Sequence, residues 1–335
     1  MPRVYFATNR APDPAQPGGY GSAIVDPSKI VYAATDVSGI DLTDEDSGSF
    51  DTLLLPQIGD FAGTLQDEIL SAPGNVLVFI HGFDNSFADA IKRAAFNHDW
   101  FADSGQPGSN ATILAFTWPS LGELIENPGN LTEGYQTDQA MAGASGPHIA
   151  DFLSVVSALR TKLAPGRRVI LLAHSMGNFA LGAAVTAWFG AGNEGAVLFD
   201  EVILAAADEA ADTFIQPDSR RLTRLPELAG RISIYTSRRD IAMSLSQGVN
   251  NDIRVGFDGP AQKGDPTVYP PARFLPTNFR SIDCTEVYDY SAIFPIDATH
   301  QYYRRSKTVR VDIVAVMAGL PMPPGQSALS TGPLG

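Results

Sequence analysis

The run Val169-Ile170-Leu171-Leu172-Ala173-His174-Ser175-Met176-Gly177-Asn178 restricts the folding of this chain more than any other segment. A short apolar stretch of strand-forming residues stops at a small residue. A serine comes two positions later, a glycine two positions after that, and a small-residue stretch compatible with a helix (Phe179 to Ala191) follows. This pattern predicts a buried strand that turns sharply into a helix with Ser175 at the apex. Such a turn holds the serine in a strained backbone conformation and leaves room only for small residues two positions to either side. Ala173, where glycine is usual, still meets that demand.

Other short β-type runs surround it, at Val4–Ala7, Ile30–Ala33, Val76–Ile80, Ala111–Phe116, Val202–Leu204, Ile232–Tyr235 and Thr285–Tyr288. Several are apolar throughout, as strands covered on both faces must be. Helical patterns lie at Ser86–Ala102, with Ser86 as N-cap, at Ile149–Leu163, and along Val309, Ile313, Val316, Met317 and Leu320 up to Pro321 and Pro323. The alternation predicts a doubly wound, mostly parallel α/β sheet, in one domain over 1–323, with a disordered polar tail over 324–335. Ala11–Thr52, Pro119–Pro147 and Met243–Asp283 read as long irregular loops gathered over the carboxyl ends of the strands. The short connection from Asp208 to Ile232 leaves no place for a large helical cap.

A serine hydroxyl becomes a nucleophile only with a base, a group that orients the base, and N–H donors for the oxyanion. Of the five histidines, only His300 follows the last strand, so it is the expected base. Asp240, just past Ile232–Tyr235, is the expected orienting acid, because the strand nearer the C-terminus is the commoner position for it; Asp208 is the rival. Val76–Ile80 ends in His81-Gly82, where the glycine permits a tight turn. The N–H of Phe83 and the N–H of Met176 are the expected oxyanion donors. Trp118 and Leu121 are candidates to line a substrate pocket.

With 37 acidic and 23 basic residues, the net charge is 23 − 37 = −14. Such a surface repels phosphate backbones and anionic lipid heads, so neither nucleic acid nor an acidic membrane is expected as a partner. The single cysteine, Cys284, excludes an intrachain disulfide. No apolar stretch reaches the length of a bilayer span and none at the N-terminus resembles a signal peptide, so a cytoplasmic location is expected. No metal-ligand spacing, P-loop or dinucleotide glycine pattern occurs, and no cofactor or metal is expected.

At these residues the chain resembles an α/β-hydrolase, and more narrowly a bacterial lipase- or esterase-like family long catalogued as a hydrolase domain of unknown function. The resemblance runs through Tyr5-Phe6-Ala7-Thr8-Asn9-Arg10, His81-Gly82-Phe83 with Ser86-Phe87, and Trp118-Pro119-Ser120. It continues through Ala173 to Asn178, the Asp208 segment, Arg239-Asp240 with Leu245-Ser246, and His300 with Tyr302-Tyr303. It implies an acyl-transfer triad of Ser175, Asp240 and His300 and fixes no substrate. A small-molecule acyl ester is the expected substrate; a thioester, amide or lactone would use the same machinery. A catalytically silent binding protein of this fold is the alternative from another class, and labelling of Ser175 by a fluorophosphonate separates the two.

Overall fold

The computed structural model describes residues 1–25, 29–50, 63–121, 131–214, 221–260, 278–290 and 299–331. Its strands are β1 (Arg3–Thr8), β2 (Arg10–Pro12), β3 (Tyr20–Ile24), β4 (Val31–Asp36), β5 (Asn75–Ile80), β6 (Ala111–Thr117), β7 (Val169–His174), β8 (Glu201–Ala205), β9 (Ile232–Thr236), β10 (Phe279–Glu286) and β11 (Gly325–Ser330). The helices are α1 (Thr64–Ser71), α2 (Phe87–Ala102), α3 (Leu131–Ala144), α4 (Gly146–Lys162), α5 (Gly177–Gly190), α6 (Ile241–Asn250), α7 (Val255–Asp258), α8 (Tyr302–Arg305) and α9 (Lys307–Met317).

Nine strands form one sheet in the order β11-β10-β9-β8-β7-β5-β6-β1-β4. Every neighbouring pair is parallel except β1 with β4. The pleat explains why the central strands are apolar throughout. Along β5, Val76, Val78 and Ile80 enter a core shared with α1, α3, α4 and α5, whereas Leu77 and Phe79 enter one shared with α2, α8 and α9. The expected α/β class therefore holds, with helices on both faces.

This topology places the site. β6 and β7 flank β5 on opposite sides, so the chain diverges there and opens a crevice at the carboxyl ends of β5 and β7, where open α/β sheets bind ligands. Both the His81-Gly82 turn and Ser175 leave the sheet at this crevice.

Several sequence expectations need correction. The stretch Pro119–Pro147 is not a plain loop, since it contains α3. This helix buries Gly134, Tyr135, Asp138 and Ala142, a helical spacing made of small and polar residues that an apolar pattern does not register. Ala11–Thr52 contains β3 and β4, and Met243–Asp283 contains most of α6, all of α7 and the start of β10; positions 261–277 lie outside the described residues. The tail expected to be disordered from 324 instead adds β11 to the sheet edge, pairing in parallel with β10. Its burial alternates between half-buried and exposed, the mark of an edge strand with little apolar content.

Candidate active site

Ser175 sits at the apex between β7 and α5 with φ of +53°, a left-handed conformation that costs a residue bearing a Cβ roughly 1–3 kcal/mol. Backbone hydrogen bonds hold it there. Its N–H donates to Ala205 O at 3.0 Å, and its carbonyl accepts from the N–H groups of Asn178 (3.0 Å) and Asp208 (3.1 Å). The Asn178 side chain adds donations to the carbonyls of Ala173 (3.1 Å) and Ser175 (3.0 Å). Gly177 has no substitute, because a Cβ there would stand 2.5 Å from His81 O and 2.6 Å from Ile80 O. Ala173 is fully buried between Ile80 and Leu204 of the neighbouring strands.

His300 follows β10 and immediately precedes α8. Its Nδ1 lies 2.8 Å from Asp240 Oδ2, a distance at which an N–H donates to a carboxylate. Asp240 is wholly buried and its other oxygen, Oδ1, accepts the Met243 N–H at 3.0 Å as the N-cap of α6. One carboxylate thus starts a helix and holds the imidazole. Thr299, next to His300, accepts the Ile241 N–H at 3.1 Å. The Tyr302 hydroxyl donates to Tyr235 O at 2.7 Å and accepts the Ala206 N–H at 3.2 Å, tying this segment to the ends of β8 and β9.

Asp208, the rival acid, points elsewhere. Its carboxylate accepts from the Tyr135 hydroxyl (2.7 Å) and the Ser246 hydroxyl (2.5 Å), and Arg254 Nε lies 3.4 Å away.

His174, which precedes the serine, packs at the same place as His300. Its ring packs against those of His300 (4.6 Å between centroids) and Tyr303 (4.7 Å). Its Nε2 lies 3.4 Å from the His300 carbonyl, an atom that can only accept, so Nε2 carries the proton. Burial, then the nearby His300 and Arg304, push the His174 pKa well below the usual histidine range, and the ring stays neutral. The Ser175 hydroxyl and the His300 ring share no hydrogen bond among the described residues. Contacts of this kind are often long before substrate binds and tighten in the complex.

The turn after β5 shows its chemistry in the hydrogens of His81. The Trp118 N–H donates to His81 Nε2 at 3.1 Å, so the ring proton sits on Nδ1, which donates to Gly82 O at 2.9 Å. Burial, then the Arg10 charge, hold the His81 pKa well below its ordinary value and keep this neutral tautomer. In a trans peptide the N–H points opposite to the C=O. Fixing Gly82 O inward therefore turns the Phe83 N–H outward. Gly82 borders the serine, for a Cβ at that position would come 2.8 Å from Ser175 Cβ. Neither the Phe83 nor the Met176 N–H donates to a protein acceptor among the described residues.

Trp118, expected in a substrate pocket, is instead fully buried. Its indole N–H donates to His81 O at 2.8 Å and its ring stacks on His81, so it supports the turn from beneath. Leu121 is half-buried and its N–H donates to Asp138 Oδ1 at 2.9 Å. Among the described residues no cluster of His, Cys, Asp and Glu could hold a metal ion, and no helix is long and apolar enough to cross a membrane.

A family model for the alpha/beta hydrolases of unknown function (DUF900) matches residues 61–287. The chain belongs to this family. No curated protein matches it. Two similar solved structures are the Pyrobaculum calidifontis esterase in its monoclinic form and the hyperthermophilic esterase from that archaeon. They are 14% and 15% identical, with TM-scores of 0.26 and 0.27, and each alignment covers 78% of this chain and 69% of the other. Membership in this alpha/beta hydrolase family makes hydrolysis the general chemistry of the chain.

Proposed function

We propose that this hydrolase cleaves carboxylic esters through an acyl-enzyme formed on Ser175. The observation that carries the reading is the 2.8 Å contact between His300 Nδ1 and Asp240, made on the same side of the sheet as a serine held at positive φ. In the first step Ser175 Oγ attacks the ester carbonyl while its proton passes to His300 Nε2. Asp240 keeps the imidazole in the required tautomer and stabilises the imidazolium. The N–H groups of Phe83 and Met176 receive the developing oxyanion. The tetrahedral intermediate collapses, and the alkoxide leaves as an alcohol with the proton from His300. Water then attacks the acyl carbonyl while His300 takes its proton, and the C–Oγ bond breaks as His300 returns that proton to Ser175 Oγ, releasing the carboxylic acid.

His174 fits this cycle only as a neutral ring, because a second charge against His300 would oppose the imidazolium. A thioester, amide or lactone would follow the same steps with a different leaving group.

The test is a panel of p-nitrophenyl esters of increasing acyl length, given to the wild-type protein and to Ser175→Ala. We expect turnover by the wild type to fall at least about 10³-fold in the variant. Equal rates in the two would remove Ser175 as nucleophile.

A further inference from the structure

The turn that presents the Phe83 N–H is held from a second side, by residues that take no part in the steps above. Asn85 Nδ2 donates to Gly82 O at 3.1 Å and to Phe83 O at 2.6 Å. It therefore grips the carbonyls of both peptide planes that flank Phe83. The Asn85 N–H donates to Ser120 Oγ at 3.1 Å, and Ser120 Oγ in turn donates to Asp138 Oδ2. Asp138 Oδ2 also accepts the Asp84 N–H at 3.2 Å, and Oδ1 accepts the Leu121 N–H at 2.9 Å. Asp84 itself has φ of +54°, so the turn is strained at the residue that Asp138 grips. Behind it lies Arg10, 1% exposed, which donates to Ser120 O at 3.2 Å and to Asn85 O at 2.8 Å.

These contacts give a task to two parts of the sequence left without one, Ser120 in Trp118-Pro119-Ser120 and Asp138 on α3. Asp138 has no exposed surface. A carboxylate so placed satisfies three donors at once, which no neutral side chain of its size can do.

We propose that Asp138 is a positioning residue for the oxyanion donor, clamping the Phe83 peptide through Asp84, Ser120 and Asn85 so that its N–H stays turned toward Ser175. The proposal rests on the esterase reading above. Asp138 touches no reacting atom; it acts by keeping a donor aimed at a position where charge appears only in the transition state. Its loss therefore lowers kcat and leaves KM nearly alone. Two charged groups face it. Burial raises the Asp138 carboxyl to about 6, against the hydrogen bonds from Ser120, Leu121 and Asp84; the Asp84 charge from the turn adds to the rise, and Arg10 from β2 is the counter-charge. Burial pulls Arg10 down to about 9, which still leaves it charged at neutral pH.

The test compares the wild type with Asp138→Asn on a p-nitrophenyl ester and on its thiono analogue, in which sulfur replaces the carbonyl oxygen. Sulfur accepts hydrogen bonds poorly, so the ratio of the two rates reads the hole itself. We expect Asp138→Asn to lose about 30-fold in ester kcat with KM within about twofold. The ester-to-thionoester ratio should fall about tenfold. An equal loss on both substrates would make Asp138 a stability residue and overturn the proposal. Hydrogen exchange at the Asp84 and Asn85 amides reads the clamp without any turnover. It should quicken more than about tenfold in the variant while β5 and β7 keep their protection. Unchanged exchange there would also overturn the proposal. Should the wild type hydrolyse no ester, the esterase reading fails, and the exchange result still decides whether the clamp exists. Ser120→Ala keeps the Asp138–Arg10 charges and serves if Asp138→Asn does not fold; it should move the same readouts by a smaller factor.

Discussion

Asp208 follows β8 and Asp240 follows β9, neighbouring parallel strands whose ends lie side by side; the two residues are 2% and 0% exposed. In composition and placement they are near equivalents, yet their surroundings assign them different work. Asp240 has one oxygen on the Met243 N–H and the other on His300, so it meets a single titratable partner, the one that changes charge in the proposed reaction. Asp208 lies among the hydroxyls of Tyr135 and Ser246 with Arg254 behind, and none of these needs to move. Its backbone still holds the serine turn, since the Asp208 N–H donates to the Ser175 carbonyl at 3.1 Å. A buried carboxylate becomes an orienting acid through the one partner that it fixes.

Replacing each acid with its amide should separate the two most sharply. Asp240→Asn can still cap α6, but its amide would favour the wrong imidazole tautomer. We expect kcat to drop about 10³- to 10⁴-fold with little change in thermal midpoint, measured by ester turnover and calorimetry. Asp208→Asn should do the reverse. Leaving Arg254, itself 4% exposed, beside an uncharged group should lower stability by about 3 kcal/mol by urea unfolding, while kcat stays within about tenfold. Similar losses of activity in both variants would break the comparison.

A smaller effect lies next to Asp208. Burial raises the Glu209 carboxyl to about 7, against the pull of Arg221, 3.0 Å away. A carboxyl raised above its unfolded value binds more protons in the folded state. Its contribution to stability is complete below the unfolded value near 4.5 and is lost as pH rises through about 7. Because the buried neutral His81 and His174 act in the opposite sense, the effect is read as a difference: relative to Glu209→Gln, the wild-type urea midpoint should fall between pH 5 and pH 8. A difference that stays constant with pH would remove Glu209 as its source.

The same contrast explains how much the sequence could reveal. The turn at Ser175 was legible because its requirements are steric and local: an apolar strand, small residues at fixed offsets, a glycine that admits no Cβ. The α/β class was legible because strands buried on both faces are apolar throughout. The choice between Asp208 and Asp240 was not local, since it depends on which strand end the His300 segment reaches some 60 residues later. The misreadings have two causes. Trp118 is aromatic near the site, and only the fold reveals that its ring lies under His81. α3 and β11 are built from small and polar residues, so an apolar pattern passes over both, and with α3 over Asp138.

If Ser175 is an activated nucleophile, a fluorophosphonate labels it without knowledge of the substrate. Folded wild-type protein should take up one adduct, found by mass spectrometry on the peptide that contains Ser175. Ser175→Ala should take up none, and Asp240→Asn should react far more slowly. A folded wild-type protein with no adduct at Ser175, or an equal adduct in Ser175→Ala, would show that Ser175 is not the nucleophile.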